Sequence, residues 1–167
     1  MKSITILVAA LYAFLIQTIG LQYDSGKPFG TVEEMDGVTC FSLSKNTINT
    51  IDVDLKDQNK NLSENLNQIR IIIYHPEEGK VQGGEFIHKA ISLLPSPYKQ
   101  LVDRHELDKQ VEIWMKGKKN KFYECHLFIK NENDDENQFI VSFYGKFDIN
   151  QIKKLQNTGK NISAGLG

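Results

Sequence analysis

Little in this chain is suited to crossing a bilayer or to stapling a small core. The longest apolar stretch, Ile4 to Ile16 broken only by Thr5, falls short of the about 20 residues a spanning helix needs. Two cysteines, Cys40 and Cys125, exclude a disulfide-dense scaffold. With 4 prolines and 12 glycines among 167 residues, a low-complexity chain is excluded as well. Charge of one sign is also missing. Lys and Arg number 20 against 21 Asp and Glu, a net charge of −1 that gives no general attraction to nucleic acid.

What the N-terminus does contain is an address. Lys2, the apolar Ile4–Ile16 and small residues at Thr18 and Gly20 have the layout of a secretory signal peptide over residues 1–20. Removal near Gly20 would release a chain starting near Leu21. The competing reading is an uncleaved anchor from Ile4 to Leu21. A lipid anchor is disfavoured because the first cysteine, Cys40, lies far beyond the junction. The expected location is therefore outside the cytoplasm, periplasmic or secreted, with no integral span after cleavage.

Residues 21–36 read as a polar lead-in with a helical turn across Thr31–Met35, and 37–158 as one domain. Residues 159–167 read as a flexible tail. Gly37–Leu43 is the first strand by its β-branched and aromatic content. Ser44 stands where an N-cap belongs, with Ile48 and Ile51 on one helix face. Ile69–Tyr74 is the strongest strand; three successive isoleucines, Ile71–Ile73, predict an interior position covered on both faces. Phe86, Ile87, Ala90, Ile91 and Leu94 have helical spacing. Ser96 and Pro97 open a predicted second helix with Tyr98, Leu101 and Val102 inward. Gln110–Lys116, Lys121–Lys130 and Gln138–Tyr144 form a meander. Asp148 and Gln151 have capping-box spacing before a closing helix with Ile149, Ile152 and Leu155, which Gly159 is predicted to end. The order β-α-β-α-β-β-β-α predicts an α+β fold: a two-layer, about five-stranded, mostly antiparallel sheet with helices packed on one face.

A Cys40–Cys125 bridge is allowed outside the cytosol and would close a loop of about 85 residues, worth about 4–5 kcal/mol on the chain-entropy account. Strand parity favours two unbridged thiols. Phe41 and Leu43 take the buried side of their strand, which turns Cys40 away. Cys125 alternates with Tyr123, Leu127 and Ile129 on a core-facing side.

Gly37–Lys45, Ile69–Tyr74 and Gln138–Ile152 resemble the opening, middle and closing segments of domain of unknown function 4252, a family of exported Bacteroidota proteins. The resemblance covers roughly residues 29–156. It implies a small envelope protein with no established activity, and, through members encoded near extracytoplasmic sigma factors, a link to envelope stress signalling. Some members look like lipoproteins; this chain lacks the cysteine that would require.

Candidate chemistry is thin. His75, His88, His105 and His126 show no zinc-ligand spacing. Cys125 and His126 are adjacent, so on a strand they face opposite ways and cannot form a local dyad. Asn131–Asn137 is acidic, but an EF-hand register puts Glu136 at the turn glycine and Ser142 at the bidentate Glu. Gly79–Gly84 lacks the phosphate-loop ending. Lys116–Lys121 is basic, and successive meander turns lie at opposite sheet ends, so a charge dipole along the strands is expected. Trp114 opposes Val111, Ile113 and Met115 in parity, either as a contact point or under a helix or loop. No catalytic, cofactor-binding or metal-ligating residue is assigned. The expected function is a non-catalytic binding module of the cell envelope with an envelope protein as partner. The alternative is an envelope hydrolase with an unrecognised site.

Overall fold

The computed structural model describes residues 28–50, 64–101 and 110–167; the N-terminal apolar run, Ile51, Val102 and His105 lie outside them. Helices α1 (Gly30–Glu33), α2 (Lys45–Thr50), α3 (Gly83–Ser92) and α4 (Ile149–Leu166) are interspersed with six strands. These are β1 (Val38–Ser44), β2 (Leu66–Tyr74), β3 (Tyr98–Leu101), β4 (Val111–Lys118), β5 (Lys121–Ile129) and β6 (Gln138–Phe147). They form one sheet in the order β1-β2-β6-β5-β4-β3, every neighbouring pair antiparallel. The fold is α+β, as the element pattern predicts.

β2 and β6 lie inside the sheet and must bury both faces. The register sets Ile71 beside Val141 and Ile72 beside Ile140, so alternate residues feed two separate cores. One core joins Ile69, Ile71, Leu127, Val141 and Phe143 to Ile152, Leu155 and Ile162 of α4, with Ile48 of α2. The other joins Ile72, Tyr74, Phe128 and Ile140 to Phe86, Ile87 and Ala90 of α3 and to Phe29 and Val32 around α1. Each large apolar side chain fully buried this way contributes about 1.5–3 kcal/mol. The helices are thus divided between the two faces of the sheet. Isolated helical stripes do not reveal which face each will meet.

Local signals decide several boundaries. Ser44 Oγ accepts from the Thr47 backbone N–H at 3.4 Å, a weak cap for α2. Asp148 caps α4 in a complete capping box: its Oδ1 accepts from Asn150 and Gln151 N–H, and Gln151 Oε1 accepts from Asp148 N–H, each at 2.9 Å.

Helices on one face of about five strands are expected; both faces carry helices and the described strands number six. Three further expectations are corrected. Residues 98–101 form the edge strand β3 rather than a second helix; Tyr98 pairs with Lys116 and Leu101 with Ile113. Two apolar residues three apart fit one helical face, but β4 offers an open edge that satisfies this backbone, and Pro97 precedes the pairing. Tyr123 is exposed rather than core-facing, because a register shift between Phe122 and Glu124 breaks the alternation. The closing helix passes through Gly159 and runs to Leu166, with Ile162 and Ser163 buried, where a flexible tail was expected. Gly159 is there for close approach: a Cβ on it would stand 2.8 Å from Leu127 Cδ2. Gly159→Val should therefore lower stability by about 1–3 kcal/mol through overpacking against β5, read from urea unfolding. Unchanged stability would mean that α4 does not press on Leu127.

Candidate functional site

The even-numbered residues of β5 and β6 carry an ionisable band across the sheet face that α1 and α3 share. Pairing sets Glu124 beside Tyr144, and His126 beside Ser142 on one side and Trp114 on the other. Ser142 in turn stands beside Arg70 of β2. Arg70 forms an ion pair with Glu33 of α1. Tyr98 of β3 donates its hydroxyl to Glu124 Oε2 at 2.5 Å, and Lys116 Nζ donates to Glu124 Oε1 at 2.9 Å. Charge is thus neutralised within the band from strand to strand.

His126 is its centre and is wholly buried. Nδ1 lies 2.8 Å from Ser142 Oγ, and Nε2 lies 3.8 Å from Glu124 Oε2. Electrostatics favours the tautomer with the proton on Nε2, aimed at the carboxylate, with Ser142 donating to Nδ1. The Phe29 ring meets the imidazole edge-on at 5.0 Å, and Tyr98 and Tyr144 lie at 5.2 and 5.9 Å. Burial pushes the His126 pKa down to about 4, outweighing the pull of Glu124, while Lys116 adds to the depression. Burial opposes ionisation of Glu124, but its hydrogen bonds from Lys116 and Tyr98 hold its carboxyl below the ordinary range. Burial, then the hydrogen bond to Glu124, raises Tyr98, and burial raises Tyr144 to about 12.

Ser142, His126 and Glu124 stand in the order of a hydrolytic relay. The chemistry does not follow. Ser142 and His126 are both fully buried, and Ser142 lies mid-strand, so no substrate carbonyl reaches its hydroxyl. What the band does is link α1 to β2, β6 to β5, and β3 and β4 to β5 through side-chain contacts.

The remaining sequence candidates separate. Cys40 is exposed and Cys125 buried on opposite faces, and they are not bridged to each other. Burial pushes the Cys125 thiol up, keeping it protonated. Cys125 faces the α4 core and His126 the other face, so they form no pair. His88 is exposed on α3. His75 lies within 2.9 Å of Asn137 Oδ1 through Nδ1 and 3.5 Å of Thr39 Oγ1 through Nε2, tying the acidic loop to β1. Among the described residues, no three His, Cys, Asp or Glu side chains could together hold a metal ion.

The acidic loop is largely occupied with itself and with α3. Asp134 accepts from Gly84 N–H through Oδ1 at 3.0 Å and from Gly83 N–H through its carbonyl at 3.2 Å. Buried Gln138 accepts from Asn131 N–H at 3.0 Å and donates to the Glu136 carbonyl at 2.8 Å. A cleft of about 580 Å³ opens between this loop and the end of α4, where Glu77, Asp135 and Glu136 share the lining with Lys160, Ile129 and Phe139. Trp114 is half-buried against the α3-side core; its Nε1 lacks a hydrogen bond among the described residues. Of its two expected positions it takes the covered one.

The two charged turns do lie at opposite sheet ends. β5 joins them with nine residues, a separation of roughly 25–30 Å. Lys118, Lys119 and Lys121 crown one end, and Lys146 follows on the adjoining strand; all four are exposed.

Residues 29–155 match the family described as domain of unknown function, DUF4252. The chain belongs to that family. Nothing among curated proteins or solved structures matches it. The match begins at Phe29, the ring against His126, so this DUF4252 domain includes the α1 segment that closes the band.

Parity alone puts Glu124 with His126 and Ser142 with Tyr144, but their mutual register is set by the β5–β6 hairpin, which places Ile129 beside Phe139, and the sequence does not mark where that pairing begins. The band makes the fold acid-sensitive. With its folded pKa near 4, below the ordinary 6.5, His126 is protonated first in the unfolded chain as pH falls. Stability should drop by about 3 kcal/mol between pH 6.5 and 4. Glu124 adds its loss only below its ordinary 4.5. Urea midpoints at pH 7, 5.5 and 4.5 measure the slope. His126→Gln should flatten it, and an unchanged slope in that variant would assign it elsewhere.

Proposed function

We propose that this DUF4252 domain is an exported, non-catalytic binding module of the cell envelope that works through the ends of its strands. One observation carries the reading: His126 and Ser142 at the middle of the sheet are paired and sealed, whereas the two exposed charged turns, Lys118–Lys121 and Asn131–Asn137, stand with opposite sign at the two ends. An enzyme requires the reverse, with ionisable groups converging on an open pocket. Export rests on the signal-like residues 1–20, and a role in envelope stress signalling on the family resemblance alone. Among the described residues, no helix is long and apolar enough to cross a membrane.

The reading predicts that the chain fractionates with the envelope and that rising salt releases it between about 0.05 and 0.5 M, as screening requires. Charge reversal at Lys118 and Lys119 should reduce that association, and a fluorophosphonate should leave Ser142 unlabelled in the folded protein. Salt-insensitive fractionation would remove the charge-driven part. Rapid labelling of Ser142 would favour the hydrolase, and a mature N-terminus at Met1 would count against export by cleavage.

A further inference from the structure

The basic end of the sheet carries more than lysines. Tyr123 and Ile149 are 45% and 43% exposed, the two large hydrophobic side chains left open to solvent among the described residues. Both belong to this end. Phe122 pairs with Phe147, which sets Tyr123 at the register shift opposite the strand that carries Lys146; Ile149 opens α4 two residues beyond Phe147. The lysine turn lies beside them, with Lys118 paired to Lys121 and Lys119 at φ 59° between them. No carboxylate among the described residues pairs with Lys118, Lys119, Lys121 or Lys146.

We infer that this end, formed by Tyr123 and Ile149 among Lys118, Lys119, Lys121 and Lys146, docks on an anionic lipid surface. An amphipathic ring beside an aliphatic side chain suits the headgroup boundary, where the ring enters the apolar layer and its hydroxyl stays in water. Flexible lysines around such anchors collect phosphate groups without needing a fixed geometry. A second copy of the chain is a poorer occupant. At the acidic end Asp36 already holds Lys80 at 2.6 Å, Glu112 holds Lys130 at 3.3 Å, and Asp134 is committed to α3. Among the described residues, that end also offers no exposed large hydrophobic side chain to meet Tyr123 and Ile149.

The inference deepens the proposed envelope role by naming the partner, and its test separates the two. The full chain is sedimented with vesicles of phosphatidylcholine alone and of phosphatidylcholine with phosphatidylglycerol. The apolar run Ile4–Ile16 serves both vesicle types alike, so the anionic-to-neutral ratio is the readout. Binding should favour the anionic vesicles at least tenfold, and each lysine changed to glutamine should lower it about fivefold. The double variant Tyr123→Ser, Ile149→Ser keeps every lysine and replaces only exposed side chains. It should weaken anionic binding severalfold while urea stability holds. Equal binding to both vesicle types, or anionic binding that the double variant leaves intact, overturns the inference. So does salt-sensitive self-association, or capture of an acidic protein, without vesicle binding; in the latter case the envelope-module reading survives.

Discussion

Everything in this domain depends on one geometric constraint: interior antiparallel strands present successive side chains to opposite faces, and here both faces must be filled. β6 is buried along most of its length. Its odd residues Phe139, Val141 and Phe143 meet the α4 core. Its even residues begin apolar with Ile140 and then turn polar with Ser142 and Tyr144. β2 and β5 repeat that change with Ile72 then Arg70 and Phe128 then His126, so the α3-side face is apolar toward one end and ionisable toward the other.

A buried polar row is costly unless its members satisfy one another. Glu33 answers Arg70, Lys116 and Tyr98 answer Glu124, and Ser142 answers one nitrogen of His126. Phe29 then closes the row, which explains why a four-residue helical turn with little intrinsic propensity is held in place. The same antiparallel order puts all hairpin turns at the two sheet ends. The lysine turn Lys118–Lys121 and the acidic turn Asn131–Asn137 thereby fall at opposite ends without any dedicated element.

Much of this was legible beforehand. The triple isoleucine of β2, the meander and the Asp148–Gln151 box were readable because each is a local pattern with a local cause. The opposed cysteines followed from parity, and so did the separated charged tips. Three features depended on distant partners and were not readable. β3 became a strand because β4 left an edge open. Gly159 serves Leu127, not a helix end. The relay of Glu124, His126 and Ser142 appears only once the β5–β6 hairpin sets Ile129 beside Phe139. Adjacent Cys125 and His126 drew attention as neighbours in sequence, yet the partner of His126 lies sixteen residues away across the sheet.

The central claim is that the centre of the ionisable band, His126 with Ser142, is closed to solvent and serves the fold, leaving the exposed ends to make contacts. Acylation of histidine rings by diethyl pyrocarbonate at neutral pH, mapped by mass spectrometry, tests this directly. His88, exposed on α3, should react promptly, while His126 stays unmodified until urea unfolds the chain. Modification of His126 in the folded protein at the rate of His88 would contradict the account.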